Sequence, residues 1–505
     1  MTAAPTPDAP DAGAQSVLDL YNAARARRAP WEGTWQECYD YALPLGQAVA
    51  RPSSPADRRG DRLFDGTAAD AVNQLASSLL AQLTPPWSRW FGLVPGPDLT
   101  AAERDRLAPV FERVGTLAQA HFDRSNFTIE MHQCFLDLVT AGTACLLLEE
   151  NAPGEPSALR FTAVPLAEAV LEEGPGGRLD TTFRRSELTL AALERRFPAA
   201  ALPESVRRDG LARPDRRFAV VEAVLPDGPA YRYAVVLEDG GNGPALLTSG
   251  RFGQSPFISF RWLKAPGESY GRSPVMAALP DIKTANKVVE LTLKNASIAV
   301  TGMWQCDDDG VLNPATIRLV PGTIIPKAVG SAGLTPLATP GRFDISQLVL
   351  DDLRGRIRHA LLVDTLGPVT NAGMTATEVL ERSAEMARLL GATYGRLQSE
   401  LLTPLLLRAF SILRRRGEIP DVTIDGRLVE LQYRSPLAQA QATRDVRATL
   451  QWLEAAASLG PQAMAAVDLA AATRWLGTAL GVPGRLMVAD PAAAPLPPVP
   501  EPSDG

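Results

Sequence analysis

MTATEVLERSAEMARLLGATYGRLQSELLTPLLLRAFSILRRR, residues 374–416, decides how the rest of the chain must be arranged. Thr375 and Glu378 have the spacing of a capping box, in which hydroxyl and carboxylate satisfy two amide donors orphaned at a helix start. A helix is therefore predicted to begin there. Its apolar seam runs Leu380, Ala387, Leu390, Tyr394, Leu397, Leu401, Leu405, Ala409, Ile412, in steps of three, four or seven, so one face stays apolar throughout. Unbroken, it would span ~60 Å at ~1.5 Å per residue. That length suits a strut between separate layers better than one wall of a core. Pro404 is expected to bend it, because a mid-helix proline removes a hydrogen bond and clashes with the preceding turn. Gly417 and Pro420 then end it.

At 505 residues the chain exceeds one ordinary core, and three or four substructures are expected. A formal net charge of −7 and a pI near 5.3 argue against a free-standing nucleic-acid binder that grips through a strongly basic surface. Cys38, Cys134, Cys145 and Cys306 lie too far apart for a CxxC site and are too few for a disulfide framework, so they fit buried thiols in a reducing cytoplasm. No apolar run approaches the ~18 residues of a membrane span. The first residues, MTAAPTPDAPDAGAQ, lack a basic-then-apolar signal pattern. Neither membrane spanning nor secretion is indicated, and a soluble intracellular protein is expected.

Read in order, the chain is a mainly helical α+β protein. Residues 1–15 are expected to be disordered. From Ser16 an amphipathic helix carries Val17, Leu20, Tyr21 and Ala24, and Trp31, Trp35, Tyr39 and Leu43 recur every four residues as one aromatic stripe. Asp65 or Thr67 caps a helix bearing Ala71, Leu75, Leu79 and Leu83, stopped by Pro85-Pro86; Trp87, Trp90 and Phe91 form an aromatic turn. Helices over 100–121 and 127–148 complete a helical stretch, 16–149.

Residues 150–262 read as an antiparallel β-rich block, with short β-branched or aromatic segments between Gly, Pro and Asp turns and one helix over 187–197. Gly240-Gly241-Asn242-Gly243 reads as a hairpin turn. Ser273-Pro274 opens a helix to residue 300, kinked or restarted at Pro280, with Ile282, Ala285, Val289, Leu293, Ala296 and Val300 on one face. Lys283, Lys287, Glu290 and Lys294 lie on another. Those lysines are either a solvated face or a functional row. IRLVPGTIIP reads as strand, Pro-Gly turn, strand, and Asp307-Asp308-Asp309-Gly310 as a surface turn. Residues 345–362 are helical again, with Leu348, Leu353, Ile357 and Leu361 buried and Arg354, Arg356 and Arg358 nearby. LGPVTNAG, 366–373, is a loop with no core of its own. VTIDGRLVELQY suggests a hairpin turning at Asp425-Gly426; Ala-rich helices over 435–487 and a disordered tail follow.

The chain carries no Walker loop, HExxH, GxSxG, metal-spaced Cys/His set or dinucleotide fingerprint. His121, His132 and His359 are few for acid–base work. No enzyme activity and no cofactor are expected.

In order along the chain stand Trp31-Glu32, Tyr41-x-x-Pro44, Phe64-Asp65-Gly66-Thr67, Leu83-Thr84-Pro85-Pro86, Trp90-Phe91, Glu268-Ser269-Tyr270-Gly271-Arg272-Ser273-Pro274, Leu279-Pro280-Asp281-Ile282, Pro321-Gly322, Met374-Thr375-Ala376-Thr377-Glu378-Val379 and Ser435-Pro436-Leu437-Ala438. Over roughly residues 16–455 this series resembles the portal, or head-to-tail connector, proteins of short-tailed (podovirus-type) bacteriophages. The resemblance implies a ring, typically of twelve subunits, at one capsid vertex, through which double-stranded DNA is packaged and ejected. It implies a wing from 16–272 and 374–434, stem helices 273–300 and 344–363, a clip 301–343, a tunnel loop 364–373 and a crown 435–488, with 489–505 a disordered tail.

By the same resemblance Gly367, Pro368, Val369, Thr370, Asn371 and Gly373 project toward DNA. Trp304, Asp307, Asp308, Pro321 and Gly322 belong to a clip that docks first the terminase large subunit and later the tail adaptor. Major capsid and scaffolding proteins are further implied partners, with no membrane. The implied location is the virion, and the host cytoplasm during assembly. Lys283, Lys287 and Lys294, or Arg354 and Arg358, are the candidates for channel contacts with DNA; the alternative is that they form intersubunit salt bridges. A helical scaffold or adaptor that never forms a pore is the competing reading.

Overall fold

The computed structural model describes residues 12–479 apart from 45–62, 87, 97, 242, 302–303, 307–328, 331–333, 337–342, 364–390, 421–428, 434–435, 461–464 and 466. Helix α1 (Ala12–Ala42) starts before Ser16, inside the stretch read as disordered, and runs unbroken through Pro30. Its early turns bury Val17, Tyr21 and Ala24; beyond Pro30 it buries Trp35 and Tyr39, with Leu43 following. The four-residue aromatic spacing is thus a core stripe. α2 (Thr67–Leu83) buries Ala71, Leu75, Leu79 and Leu83, as its periodicity predicts. Where the sequence reads as an aromatic turn, Phe91 instead opens β1 (Phe91–Pro95).

α3 (Ala101–Arg124) begins with a capping box: Thr100 N donates to Glu103 Oε2 (3.0 Å) and Glu103 N to Thr100 Oγ1 (3.4 Å). α4 (Phe127–Ala141) is shorter than the helix read over 127–148. Gly142 ends it at φ +79°, where a Cβ would stand 2.5 Å from Gly271 O. Only glycine fits both conditions. The chain therefore leaves as β2 (Thr143–Glu150), whose apolar run TACLLLEE suits a buried strand as well as a helix.

β2 lies between β3 (Leu159–Val164) and the later β9 in a three-stranded antiparallel sheet. A second sheet takes its five antiparallel strands in sequence order: β4 (Ala169–Glu173), β5 (Leu179–Thr189), β6 (Arg217–Asp227), β7 (Ala230–Leu237) and β8 (Ala245–Phe252), after which β9 (Phe257–Arg261) returns to the first sheet. Two short helices interrupt it, α5 (Leu190–Arg196) and α6 (Glu204–Ala212), where the sequence suggests one from residue 187. Alternation gives this sheet two buried faces. Phe183, Val221, Ala223, Ala234 and Val236 cluster with the start of α1, while Val220, Val235, Leu237 and Leu247 cluster with α5 and α6. Gly240 N donates to Gly243 O (2.7 Å), closing the glycine-rich turn between β7 and β8.

α7 (Pro274–Thr301) starts at the predicted cap: Ser273 Oγ accepts from Met276 N (2.9 Å) and donates to Thr140 O (2.8 Å). Pro280 is contained without ending the helix. β10 (Trp304–Cys306) pairs with β11 (Leu334–Pro336), ahead of α8 (Phe343–Ala360). Trp304 lies in β10; Asp307, Asp308, Pro321 and Gly322 lie outside the described residues, as do the loop from Gly367 through Pro368, Val369, Thr370 and Asn371 to Gly373, and the cap Thr375 and Glu378.

The strut enters the description at Gly391, as a helix Gly391–Leu397, a π-helical turn Gln398–Leu402 and a helix Thr403–Arg415. Tyr394, Leu397, Leu401, Leu405, Ala409 and Ile412 are all buried. Pro404 falls in the first turn of the last helix, where its missing N–H costs little. The π turn just before it takes up the disruption expected of the proline, with Thr403 N donating to Gln398 O. β12 (Val429–Tyr433) pairs with β1, Phe91 opposite Tyr433, while the turn read at Asp425-Gly426 lies outside the described residues. Trp90, Phe91, Phe122, Phe127, Phe161 and Phe410 pack with ring centroids 4.7–6.2 Å apart, joining the helical layer, the first sheet and the strut in one core. Helices Pro436–Ser458 and Leu469–Ala479 follow.

Candidate nucleic-acid interface

Asp281 near the start of α7 meets Arg356 near the end of α8 (2.9 Å), and β10 pairs with β11, so the two helices run antiparallel. Ile282, Ala285, Leu350, Leu353, Ile357 and Leu361 are buried. Leu293 and Leu348, read from the sequence as buried, are 54% and 75% exposed, and Leu291 and Val349 are exposed beside them in sequence. From Leu291 onward Leu291 and Leu293 are about half exposed and Ala296 is only partly buried, so the apolar pattern outruns the described residues that would bury it. Among the described residues the helix pair is packed at one end and less covered at the other.

The five basic candidates differ in their surroundings. Lys283 Nζ lies 2.8 Å from Glu37 of α1. Lys294 (2.6 Å) and Lys287 (2.9 Å) share Glu290, and their hydrogen bonds hold its carboxyl below the usual carboxylate range. Arg354 clasps Asp65 through Nε (2.9 Å) and Nη2 (2.8 Å). Arg358 is exposed with no ion pair among the described residues. Exposed pairs such as those of Glu290 stabilise little and exchange partners readily. The structure brings Lys287 and Lys294 together and places Lys283 and Arg354 elsewhere, each against an acid of its own chain.

Asp65 is a joint rather than a simple cap. Its Oδ1 accepts from Thr67 N (3.0 Å), and Asn286 Oδ1 of α7 accepts from Phe64 N (2.7 Å) and Asp65 N (3.1 Å). Burial pushes the Asp65 carboxyl up, but the bonds from Thr67 and Arg354 outweigh it and hold it low. Phe64-Asp65-Gly66-Thr67 thereby ties α2 to both α7 and α8. Glu268 to Pro274 does similar work. Tyr270 packs edge-on against Trp35 (4.9 Å) and accepts from Leu171 N (3.0 Å), and Gly271 N donates to Thr143 Oγ1 (2.8 Å).

Sequence reasoning misses the densest charged cluster. Arg261, with its side chain fully buried, uses all five N–H groups: Nε and Nη2 on Glu400 (3.2 and 2.7 Å), Nη1 on Glu173 (2.6 Å) and Ser269 O (2.9 Å), and Nη2 also on Gly177 O (2.8 Å). Arg396 adds a bond to Glu400 (3.0 Å), and Lys264 one to Glu173. Glu400 sits in the π turn, so this cluster pins the strut to β9 and to the turn after β4. The only local signal is a carboxylate next to the seam residue Leu401.

His132 meets Ser77 (3.3 Å) on the surface, and Cys134 is buried, as core packing requires. Among the described residues no group of His, Cys, Asp and Glu could hold a metal ion, and no helix is long and apolar enough to cross a membrane.

A family model described as "Bacteriophage head to tail connecting protein" matches residues 14–488. Among curated proteins, a "Probable portal protein" of Bordetella phage BPP-1 is 27% identical, over 94% of this chain and 88% of its own. The portal protein of Salmonella phage epsilon15 is 25% identical over 86% and 82%, and that of Escherichia phage T7 is 22% identical over 81% and 76%. A chain from the virion of a native gene transfer agent particle matches 88% of this chain and 99% of its own with a TM-score of 0.38 at 14% identity, too loose a likeness to argue from.

Proposed function

The chain belongs to the bacteriophage head to tail connecting proteins, and from that premise we propose that copies of it close into a ring, typically of twelve, around a channel for double-stranded DNA at one capsid vertex. The match along almost the whole chain carries this reading. The role is structural rather than catalytic. In it α7 and α8 form the stem, 301–343 the clip, 364–373 the tunnel loop and 435–488 the crown. The clip docks the terminase large subunit and then the tail adaptor, and the ring is built with capsid and scaffolding proteins in the host cytoplasm before residing in the virion.

The open end of the helix pair supports the ring. Leu291, Leu293, Leu348 and Val349 each have part of the roughly 1.5–3 kcal/mol of full burial still to gain, and a neighbouring copy supplies that cover. Charge supports sliding over gripping. A ring of chains at −7 each repels duplex phosphate at long range, while Lys287, Lys294 and Arg358 leave sparse, sequence-independent contacts. Deleting residues 366–373 tests the assignment: assembly of rings is expected to persist while DNA packaging or retention falls. Unchanged particle yield and DNA content would count against a tunnel loop there.

A further inference from the structure

Of the described stem candidates only Arg358 is exposed without an ion pair, and more unpaired arginines gather in another part of the fold. Residues 190–217, the lobe of α5 and α6, hold seven arginines against four carboxylates in a chain that is acidic as a whole. Three of the seven are spoken for: Arg196 binds Glu222 (2.9 Å), and Arg213 and Arg216 both lie against Asp209. Arg195, Arg207, Arg208 and Arg217 are exposed and have neither ion pair nor side-chain hydrogen bond among the described residues. The fold arranges them. Val206 and Gly210 face inward, Gly210 because a Cβ there would meet the Leu190 side chain at 2.6 Å. Arg207 and Arg208 therefore lie four and three residues before Leu211 on the outer face of α6, and Leu211 is 75% exposed. Arg217 is carried to the same lobe by pairing with Thr189, whose side chain caps α5.

We propose that this lobe is a second, sequence-independent contact for duplex nucleic acid, taken up through its phosphates. A guanidinium with no acid partner neutralises a phosphate and releases counterions without first breaking a salt bridge, whereas Lys287 and Lys294 must leave Glu290 to do the same. Four such arginines, in a lobe with seven arginines against four carboxylates, offset locally the repulsion that a chain of net −7 exerts on a polyanion. The contact does not depend on ring closure and stands beside the channel assigned above.

The test uses the full-length protein and a labelled random-sequence duplex of about 30 base pairs, with affinity followed by fluorescence anisotropy across a salt series. Native mass spectrometry of every variant separates loss of binding from loss of assembly. Replacing Arg195, Arg207, Arg208 and Arg217 together by Gln is expected to weaken binding and lower the slope of log K against log salt by about three to four. The matching Arg→Lys variant is expected to keep the slope, which shows that the lobe remains folded. An unchanged slope in the Gln variant overturns the proposal, as does a slope lost only when Lys283, Lys287 and Lys294 are replaced. Binding of poly-glutamate without any binding of duplex overturns it in favour of an acidic protein partner.

Discussion

The anchor of the strut and the outer stem handle charge and apolar surface in opposite ways. Around Arg261 every donor has an acceptor, every carboxylate a cation, and the seam from Tyr394 to Ile412 is sealed. Along α7 from Lys287 onward the lysines are held only by a shared surface glutamate, and Leu291 and Leu293 are about half exposed. One region is completed by its own chain; in the proposed ring the other is completed by a neighbour. On that proposal folding stability resides in the first and assembly in the second, and changes to each region should move different observables.

The largest effect is expected at the anchor. Arg261→Ala leaves buried Glu400 with Arg396 as its remaining cation, and Glu400→Ala leaves the Arg261 guanidinium short of two bonds. Either should lower stability by about 3–5 kcal/mol, read as a shift in the urea midpoint. Replacing both by apolar residues of similar volume should recover much of that loss, since no buried charge is then left alone. Equal losses on replacing Lys287 would erase the contrast.

The next expected effect is pH-dependent. Asp137 is buried and accepts a hydrogen bond from Tyr39 OH (2.9 Å), and burial pushes its carboxyl up to about 7 despite that bond. The folded state thus binds a proton that the unfolded chain releases. Its contribution is complete below the ordinary carboxylate pKa of about 4 and is lost as pH rises through about 7, by an amount of order a few kcal/mol. Asp137→Asn cannot ionise and should flatten this dependence; midpoints measured at pH 5 and pH 8 would then agree more closely than in the parent.

Gly142→Ala comes third. A left-handed backbone and a Cβ 2.5 Å from Gly271 O should cost about 1–3 kcal/mol, visible in thermal unfolding. The smallest effect on the isolated subunit belongs to Leu291→Ser with Leu293→Ser. Both side chains are about half exposed, so unfolding should barely change while native mass spectrometry shows rings giving way to smaller species.

Periodic features were legible in the sequence because they are local. The strut seam, the Trp35 and Tyr39 stripe, the Ser273 cap and the alternating β block all follow from spacing along one element. What escaped depends on residues distant in the chain. Arg261 meets Glu400 139 residues away, and β1 finds β12 across most of the molecule, a pairing that no local spacing announces. Leu148 was read into a helix because an apolar run without Pro or Gly does not declare its period; the break at Gly142 is explained by Gly271, not by its neighbours. For the channel, lysine spacing located a helical face but not Glu37 or Asp65, which decide how free Lys283 and Arg354 are.

The central claim, that neighbouring copies complete the stem, is tested most directly by imaging the purified full-length protein unstained by electron microscopy. Closed rings are predicted, with α7 and α8 around an axial hole of ~20 Å or more, enough for a helix with grooves ~12 Å wide. A closed dimer, or a ring whose centre is filled, would contradict it.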